Sequence, residues 1–184
     1  LLLLKPYHQA VINLTSDTPN PTVLHGTAMT EEELAGCGVP QAAETMWFSK
    51  LLLALYFNDY DVMKVHLNKL LYDRPPDVDG CMFHANVLLW AEGFAAMLIA
   101  RRTKERKYRV IAHKRIKKLE KWAKKGNVNC HHFLLHLHAE RAAWEKKPTE
   151  EVKRLYDVAI SASRRAGFMN TAALVNERAA RFFL

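Results

Sequence analysis

Residues 148–184 constrain the fold of this chain most strongly, because their pattern fits two consecutive helices. Val152, Tyr156 and Ala159 are spaced four and three residues apart, so they share one helical face. Gly167 can adopt the left-handed conformation that ends a helix, and a second helix follows it to the end of the chain. A pair of helices joined by a glycine corner is the unit of a helical-repeat array. The sequence therefore predicts an all-α fold.

The same spacing of small and apolar residues occurs twice more upstream. The earlier triplets are Met63, Leu67 and Leu70, followed by Ala112, Ile116 and Leu119. This pattern is typical of the second helix of a tetratricopeptide (TPR) repeat, although these triplets begin 49 and 40 residues apart, whereas a standard repeat has about 34 residues. The sequence therefore predicts antiparallel helical hairpins stacked as a TPR-like superhelix with lengthened repeats.

The chain is expected to contain about seven substantial helices and no strand, because no run of alternating β-branched residues has strand length. Turn-forming residues concentrate before residue 41, whereas helix-forming residues dominate after it. We therefore expect residues 1–40 to be a leading segment and loop. Residues 41–184 are expected to be the TPR-like domain, as part of a longer chain.

The formal net charge of +8 comes mostly from one run of basic residues, 100–125. Such a run is typical of a patch for nucleic acid, anionic lipid or an acidic partner, or of the solvated face of a long amphipathic helix. The aromatic residues of the run are not interleaved as stacking platforms, and the chain has no RNA-recognition or zinc-finger signature. The sequence therefore predicts no specific nucleic-acid partner, whereas an anionic surface remains an alternative.

The three cysteines, Cys37, Cys81 and Cys130, are far apart and form no CxxC pair. This spacing argues against a disulfide scaffold and favours a reducing, intracellular compartment. The leading run of four leucines and the apolar segment 93–100 are both too short to span a membrane. We therefore expect no transmembrane span.

A cluster of histidines suggests one candidate for chemistry. His132, His136 and Glu140 are four residues apart, so they share a helical face, and this spacing suits a transition metal. The cluster is not an HExxH motif, and a metal site needs further fixed ligands. Histidines at a surface or a packing interface are the favoured interpretation. No catalytic motif is present either, so the sequence predicts no catalytic residue, no metal and no cofactor.

Several stretches in order resemble a known family. They include WFSKLLLALYFNDYDVMKVHLNKL, FHANVLLWAEGFAAML, KKLEKWAKKGNVNCHHFLLHLHAERAAWEKK and LYDVAISASRRAGFMNTAALVNERAARFFL. These resemble the helical, TPR-like region of large multidomain signalling proteins, and the resemblance covers nearly the whole chain. In that family the region follows a serine/threonine-kinase-like domain and an AAA-type ATPase, and it precedes GAF and histidine-kinase or cyclase modules. The resemblance implies an all-α superhelix that acts as a connector or docking surface, without catalytic residues.

The leading hypothesis is therefore a non-catalytic scaffold for protein–protein interaction, a fragment of a large signalling ATPase or kinase. The candidate partner-binding residues are Trp47, Asn86, Trp90 and His136 in a groove, with Lys117, Lys118, Lys121 and Lys124 as an electrostatic guide. Two other classes stay open. One is a structural subunit of a large assembly, membrane-associated or not. The other is a small helical metalloenzyme that uses His132 and His136.

Overall fold

The computed structural model describes residues 2–35, 37–74 and 85–184, and all regular structure within these ranges is helical. Its contacts divide the chain into two compact units, Leu1–Phe83 and His84–Leu184. The all-α class is therefore confirmed. The stacking of hairpins as a superhelix and the boundary at residue 40 stay predictions, and Cys81 lies outside the described residues. No helix in the described ranges has the length and hydrophobicity needed to cross a bilayer.

The described part of the first unit contains four α-helices after a short 3₁₀ turn, Leu2–Leu4. They are α1 (Lys5–Thr15), α2 (Glu31–Ala35), α3 (Pro40–Phe57) and α4 (Tyr60–Tyr72). The second unit contains five within residues 85–184, with a 3₁₀ turn (Val128–Cys130) between the second and third of them. They are α5 (Ala85–Thr103), α6 (Arg106–Lys124), α7 (His131–Trp144), α8 (Thr149–Arg165) and α9 (Met169–Phe183). The seven long helices expected after residue 40 correspond to α3 through α9.

A two-residue corner joins α3 to α4 in the first unit. Asn58 adopts a left-handed conformation with φ of 56°, which lets the chain reverse direction directly after α3. The Asp59 side chain then accepts a hydrogen bond from the backbone N–H of Val62 at 3.1 Å, which caps the start of α4. The two helices pack against each other, as those of an antiparallel hairpin do. The leading segment belongs to the same unit, because α1 also packs against α3.

Two further pairs of neighbouring helices pack together in the second unit, α5 with α6 and α7 with α8, and α9 packs against α8. The first helices of the two pairs, α5 and α7, also contact each other. All nine side chains of the predicted triplets are buried, with exposed fractions of 2% or less. They lie on α4, α6 and α8, the second helix of each pair, so the helical period correctly identified the faces that pack.

At Gly93, α5 lies close to both α6 and α7. A Cβ atom added to Gly93 would lie 3.1 Å from Cβ of Arg115 on α6 and 3.3 Å from Cδ1 of Leu137 on α7. Both distances are shorter than ordinary van der Waals contact, so a glycine suits this position. The residue directly before it, Glu92, is buried although its side chain is polar.

Candidate functional site

The buried carboxylate of Glu140 is the centre of a polar cluster in the second unit. Its Oε1 accepts hydrogen bonds from Nε of Arg178 at 2.8 Å and from the hydroxyl of Tyr156 at 3.0 Å. Its Oε2 accepts hydrogen bonds from Nη1 of Arg101 at 3.0 Å and from Nη2 of Arg178 at 3.2 Å. These residues come from α5, α7, α8 and α9, so one carboxylate joins four helices of the unit.

The ionisation of this cluster is set by its charges. Burial alone would raise the pKa of the Glu140 carboxyl, but that pKa lies well below its ordinary value because the His136 imidazole and the Arg178 guanidinium stabilise the anion. Burial and the neighbouring Glu140 charge raise the pKa of the Tyr156 phenol far above its ordinary value. The carboxylate is therefore charged and the phenol protonated near neutral pH, which matches their roles as acceptor and donor.

Two other buried glutamates occupy similar positions on α3 and α5. Nε of Arg74 lies 2.8 Å from an oxygen of Glu44, and Nε of Arg115 lies 2.6 Å from an oxygen of Glu92. Each of the three glutamates directly follows an alanine, and their positions, 44, 92 and 140, are separated by 48 residues. This repeat was not predicted, because the apolar triplets do not include these positions and Glu140 was a metal candidate by its spacing from His132 and His136.

A second buried contact involves Trp90 and His136, which are 1% and 0% exposed. Nε1–H of Trp90 donates a hydrogen bond to Nδ1 of His136 at 2.9 Å. Because Nδ1 is the acceptor, the neutral imidazole carries its proton on Nε2, which lies 3.7 Å from Oε1 of Glu140. Neither side chain has surface to offer a partner. Both belong to the core of the second unit, and not to the partner groove in which the sequence analysis placed them.

The three metal candidates lie near one another, but they are engaged in different contacts. His136 contacts Trp90, Glu140 binds the arginines, and His132 stacks against Phe168 with ring centroids 4.2 Å apart. Within the described ranges, no group of three or more His, Cys, Asp or Glu side chains is arranged to hold a metal ion. The three side chains on this face of α7 therefore take part in packing and ion pairing in this fold.

A groove of about 870 Å³ lies beside α6 and α7. Its cationic lining residues are Arg106, Arg109, Lys114, Lys117 and Arg141, and Glu145 is the acidic residue of the lining. The floor is partly apolar, because Met97, Ile116 and the indole of Trp144 contribute to it. The guanidinium carbon of Arg109 lies 5.7 Å from the centre of the Trp144 ring, a cation–π distance that positions this arginine at the wall.

The four lysines predicted as an electrostatic guide all lie on α6 and are exposed. Lys117 lines the groove, whereas Lys118, Lys121 and Lys124 do not. The Nζ of Lys118 instead lies 5.5 Å from the centre of the Trp122 ring. Arginines of the groove, Arg109 and Arg141 among them, were not among the predicted partner-binding residues. The side of α6 that carries Arg109 could have been found by extending the 3.6-residue period of Lys117 toward the start of the helix, whereas Arg141 lies on α7.

The remaining two candidates lie in separate surroundings. Asn86, at the start of α5, is half-buried, and its Oδ1 accepts a hydrogen bond from Nδ2 of Asn127 at 3.1 Å. Trp47 belongs to the first unit, where it is half-buried and the Nζ of Lys69 lies 5.6 Å from its ring centre. Neither residue lines the basic groove. In the second unit, Asn86, Trp90 and His136 therefore do not join Lys117 in the basic groove. Trp47 lies in the first unit.

Two buried histidines give the protein a testable pH dependence. Burial, with a smaller effect from His131, lowers the pKa of His132 to about 4, and burial near Lys50 and Lys69 lowers that of His66 to about 4. Histidine in an unfolded chain titrates near pH 6.5, so the unfolded state binds more protons between about pH 6.5 and 4. Stability must therefore fall as the pH falls through this range.

We expect the midpoint of thermal unfolding to be lower at pH 5 than at pH 7.5, and His132→Phe to reduce this difference. Phenylalanine preserves the stacking on Phe168 but cannot bind a proton. His113→Gln, which replaces an exposed histidine of the same unit, serves as the matched control and should leave the difference unchanged. An equal pH dependence in the wild type and His132→Phe would contradict the assignment.

No family model, no curated protein and no solved structure matches this chain.

Proposed function

We propose that this chain is a non-catalytic helical scaffold that binds an acidic protein segment in the groove beside α6 and α7. The single observation that carries the proposal is the lining of that groove, in which five cationic side chains face one carboxylate over a partly apolar floor. Apolar surface provides binding energy, while the cations select an acidic partner and accelerate its approach. A groove of this size admits an extended or helical segment more readily than a folded domain.

The arrangement of helices supports the scaffold part of the proposal. In the second unit, α5 with α6 and α7 with α8 form successive pairs, and α5 contacts α7. Helical repeats use neighbouring pairs in this way to create a concave surface without a catalytic centre. The ionised Glu140 is enclosed by its arginines and by Tyr156, so it is committed to the interior and has no route to a substrate.

The sequence resemblance suggests a setting for this scaffold. In the large signalling proteins that the chain resembles, the corresponding region connects kinase-like and ATPase domains to sensor and output modules. A connector of this kind can bind an acidic segment of a neighbouring domain or of another protein. We propose that this chain belongs to such a signalling ATPase or kinase and that it binds an acidic segment in that setting.

Neutralising the groove should weaken binding of an acidic peptide. The test variant is Arg109→Gln, Lys114→Gln and Lys117→Gln together, and the probe is a fluorescent twelve-residue peptide of mixed glutamate and leucine. We expect the dissociation constant to increase by about tenfold or more at low salt, because three cations that face the peptide are lost. Fluorescence anisotropy measures the change, and the increase should shrink as the salt concentration rises.

The matched control removes the same number of charges elsewhere in the second unit. Lys147→Gln, Arg154→Gln and Arg164→Gln together remove three exposed cations outside the groove, so the dissociation constant should change by less than about twofold. Equal weakening by both triple variants would show that only net charge matters and would contradict the groove as the binding site. Binding of anionic vesicles or DNA in preference to the peptide would contradict the acidic protein segment as partner.

A further inference from the structure

A second, smaller pocket lies at the opposite end of α7 from the basic groove. It has a volume of about 370 Å³ and is formed where the start of α7 meets the end of α8 and the residue before α9. Its polar and charged lining residues are Asn129, His131, His132 and Arg165, and its aromatic lining residue is Phe168. Ala162 and Ala166 provide further apolar surface. The pocket is therefore independent of the groove proposed above for an acidic segment.

His132 distinguishes this pocket from an ordinary surface depression. Its side chain is 2% exposed, and neither Nδ1 nor Nε2 has a hydrogen-bond partner in the protein. Buried polar groups in folded proteins are normally paired, so a bound group that reaches the ring would satisfy a nitrogen that the described residues leave unpaired. The ring packs against both Phe133 and Phe168, with centroid distances of 3.9 and 4.2 Å.

The charges around His132 indicate which kind of group would pair with it. A neutral imidazole can donate one N–H, and an acceptor oxygen satisfies that donor. Arg165 is exposed at the rim and carries a guanidinium, which binds carboxylates with two parallel hydrogen bonds. The pocket borders both the first turn of α7, which favours negative charge, and the last turn of α8, which favours positive charge, so the helix ends do not decide the sign of the ligand. The N–H of His132 and the guanidinium of Arg165 both favour an anion, and the two-oxygen geometry of a carboxylate suits them.

The rest of the pocket favours an apolar body attached to that anion. The ring of Phe168 is stacked almost parallel on His132, with an angle of 27° between the planes, and the two alanines are small enough to leave space beside it. A flat hydrocarbon group can pack against such surfaces, as ligands do in mostly apolar pockets with few polar groups.

We propose that this pocket binds a carboxylate attached to an aromatic group. The carboxylate is held by Arg165 and accepts the N–H of His132, while the aromatic ring packs beside Phe168. Such a carboxylate is present both in a free aromatic acid and at the carboxyl terminus of a protein that ends in an aromatic residue. The chemistry recognised at the pocket is the same in both cases.

The test uses N-acetylphenylalanine as the probe and the ring signals of His132 in the NMR spectrum as the readout. We expect those signals to shift on titration, with a dissociation constant on the order of 1 mM for a ligand of this size. N-acetylphenylalanine amide, which has the same shape without the charge, should bind about tenfold more weakly or not at all. Absence of any shift for the acid, or equal binding of acid and amide, would overturn the proposal.

Two neighbouring arginines provide a matched pair of variants. Arg165→Gln should weaken binding of the acid by about tenfold, because it removes the guanidinium at the pocket. Arg164→Gln removes the same charge from the adjacent exposed position, which does not line the pocket, and should change binding by less than about twofold. Equal effects of the two variants would overturn the assignment of Arg165.

A further comparison identifies the source of the carboxylate. The probe 3-phenylpropionate contains the ring and the carboxylate but no peptide group. If it binds as tightly as N-acetylphenylalanine, a free aromatic acid is supported. If only the peptide-like acid binds, a protein carboxyl terminus is supported. Loss of acidic-peptide binding in the groove variants would leave these results unchanged, so the two proposals can fail separately.

Discussion

Replacing Glu140 by glutamine is expected to lower the free energy of unfolding by about 3–5 kcal/mol, the range measured when one partner of a buried ion pair is removed. The carboxylate is fully buried and accepts hydrogen bonds from two arginines and a tyrosine on three other helices. Glutamine keeps the shape but is neutral, and its amide NH₂ cannot accept the hydrogen bonds that an oxygen accepted. The guanidinium of Arg178 would remain largely buried without its counter-charge.

Urea denaturation followed by circular dichroism measures this loss, and the matched control is Glu177→Gln. Glu177 also pairs with an arginine, since Nη2 of Arg181 lies 2.7 Å from it, but both side chains of this pair are largely exposed. Exposed pairs of this kind contribute about 0–1 kcal/mol. Similar losses for Glu140→Gln and Glu177→Gln would show that the interior cluster does not hold the helices together.

The Glu140 cluster also has a defined pH range. Because the folded-state pKa of Glu140 lies below its unfolded value, the ion pair stabilises the fold at every pH above the ordinary glutamate range. The contribution is lost progressively as the pH falls from the ordinary glutamate range to the lowered, folded-state pKa. This range lies below that of the buried histidines, so the two effects can be separated in one acid titration.

Replacing Trp90 by alanine is expected to lower the free energy of unfolding by about 3–5 kcal/mol, as other buried tryptophan truncations do. The indole is 1% exposed, packs against Phe133 with ring centroids 5.1 Å apart, and donates to Nδ1 of His136. Its removal would leave a cavity between α5 and α7 and a buried imidazole nitrogen without a donor. Urea denaturation of the protein alone, without a binding partner, should show this lower free energy of unfolding.

Trp122→Ala is the control, because this tryptophan lies in the same unit but is only half-buried. Its loss should be smaller, no more than about 2 kcal/mol, since less apolar surface is exposed to water on unfolding. The comparison also decides the role that the sequence suggested for Trp90. If Trp90→Ala retained the stability of the wild type and lost only acidic-peptide binding, Trp90 would be a partner contact and not a core residue.

Helical spacing was sufficient to predict which faces are buried. Val152, Tyr156 and Ala159, like the other two triplets, lie on one side of a helix whatever the fold, because the period of the backbone places them there. Their apolar character then requires another element to cover that side. The sequence pattern therefore predicted the all-α class and the long helices after residue 40, since both depend on local geometry and composition.

The same reasoning could not find the sites, because their members come from distant positions. His132, His136 and Glu140 share a face, but that face cannot reveal that Arg101 and Arg178 approach it from other helices. Trp90 and His136 are 46 residues apart and meet only through the packing of α5 on α7. The basic groove likewise needs Arg141 and Trp144 of α7 opposite the cations of α6.

The sequence by itself determined the helices of this protein and the side that each of them must bury, because backbone hydrogen bonding and the 3.6-residue period act locally. Only the tertiary structure decided that Glu140 became an ion-pair centre instead of a metal ligand. It also decided that Trp90 faces the interior and that His132 was left beside a pocket without a protein partner. Those outcomes depend on which helices pack together, since electrostatic and packing energies act between side chains that adjoin in space and not in sequence.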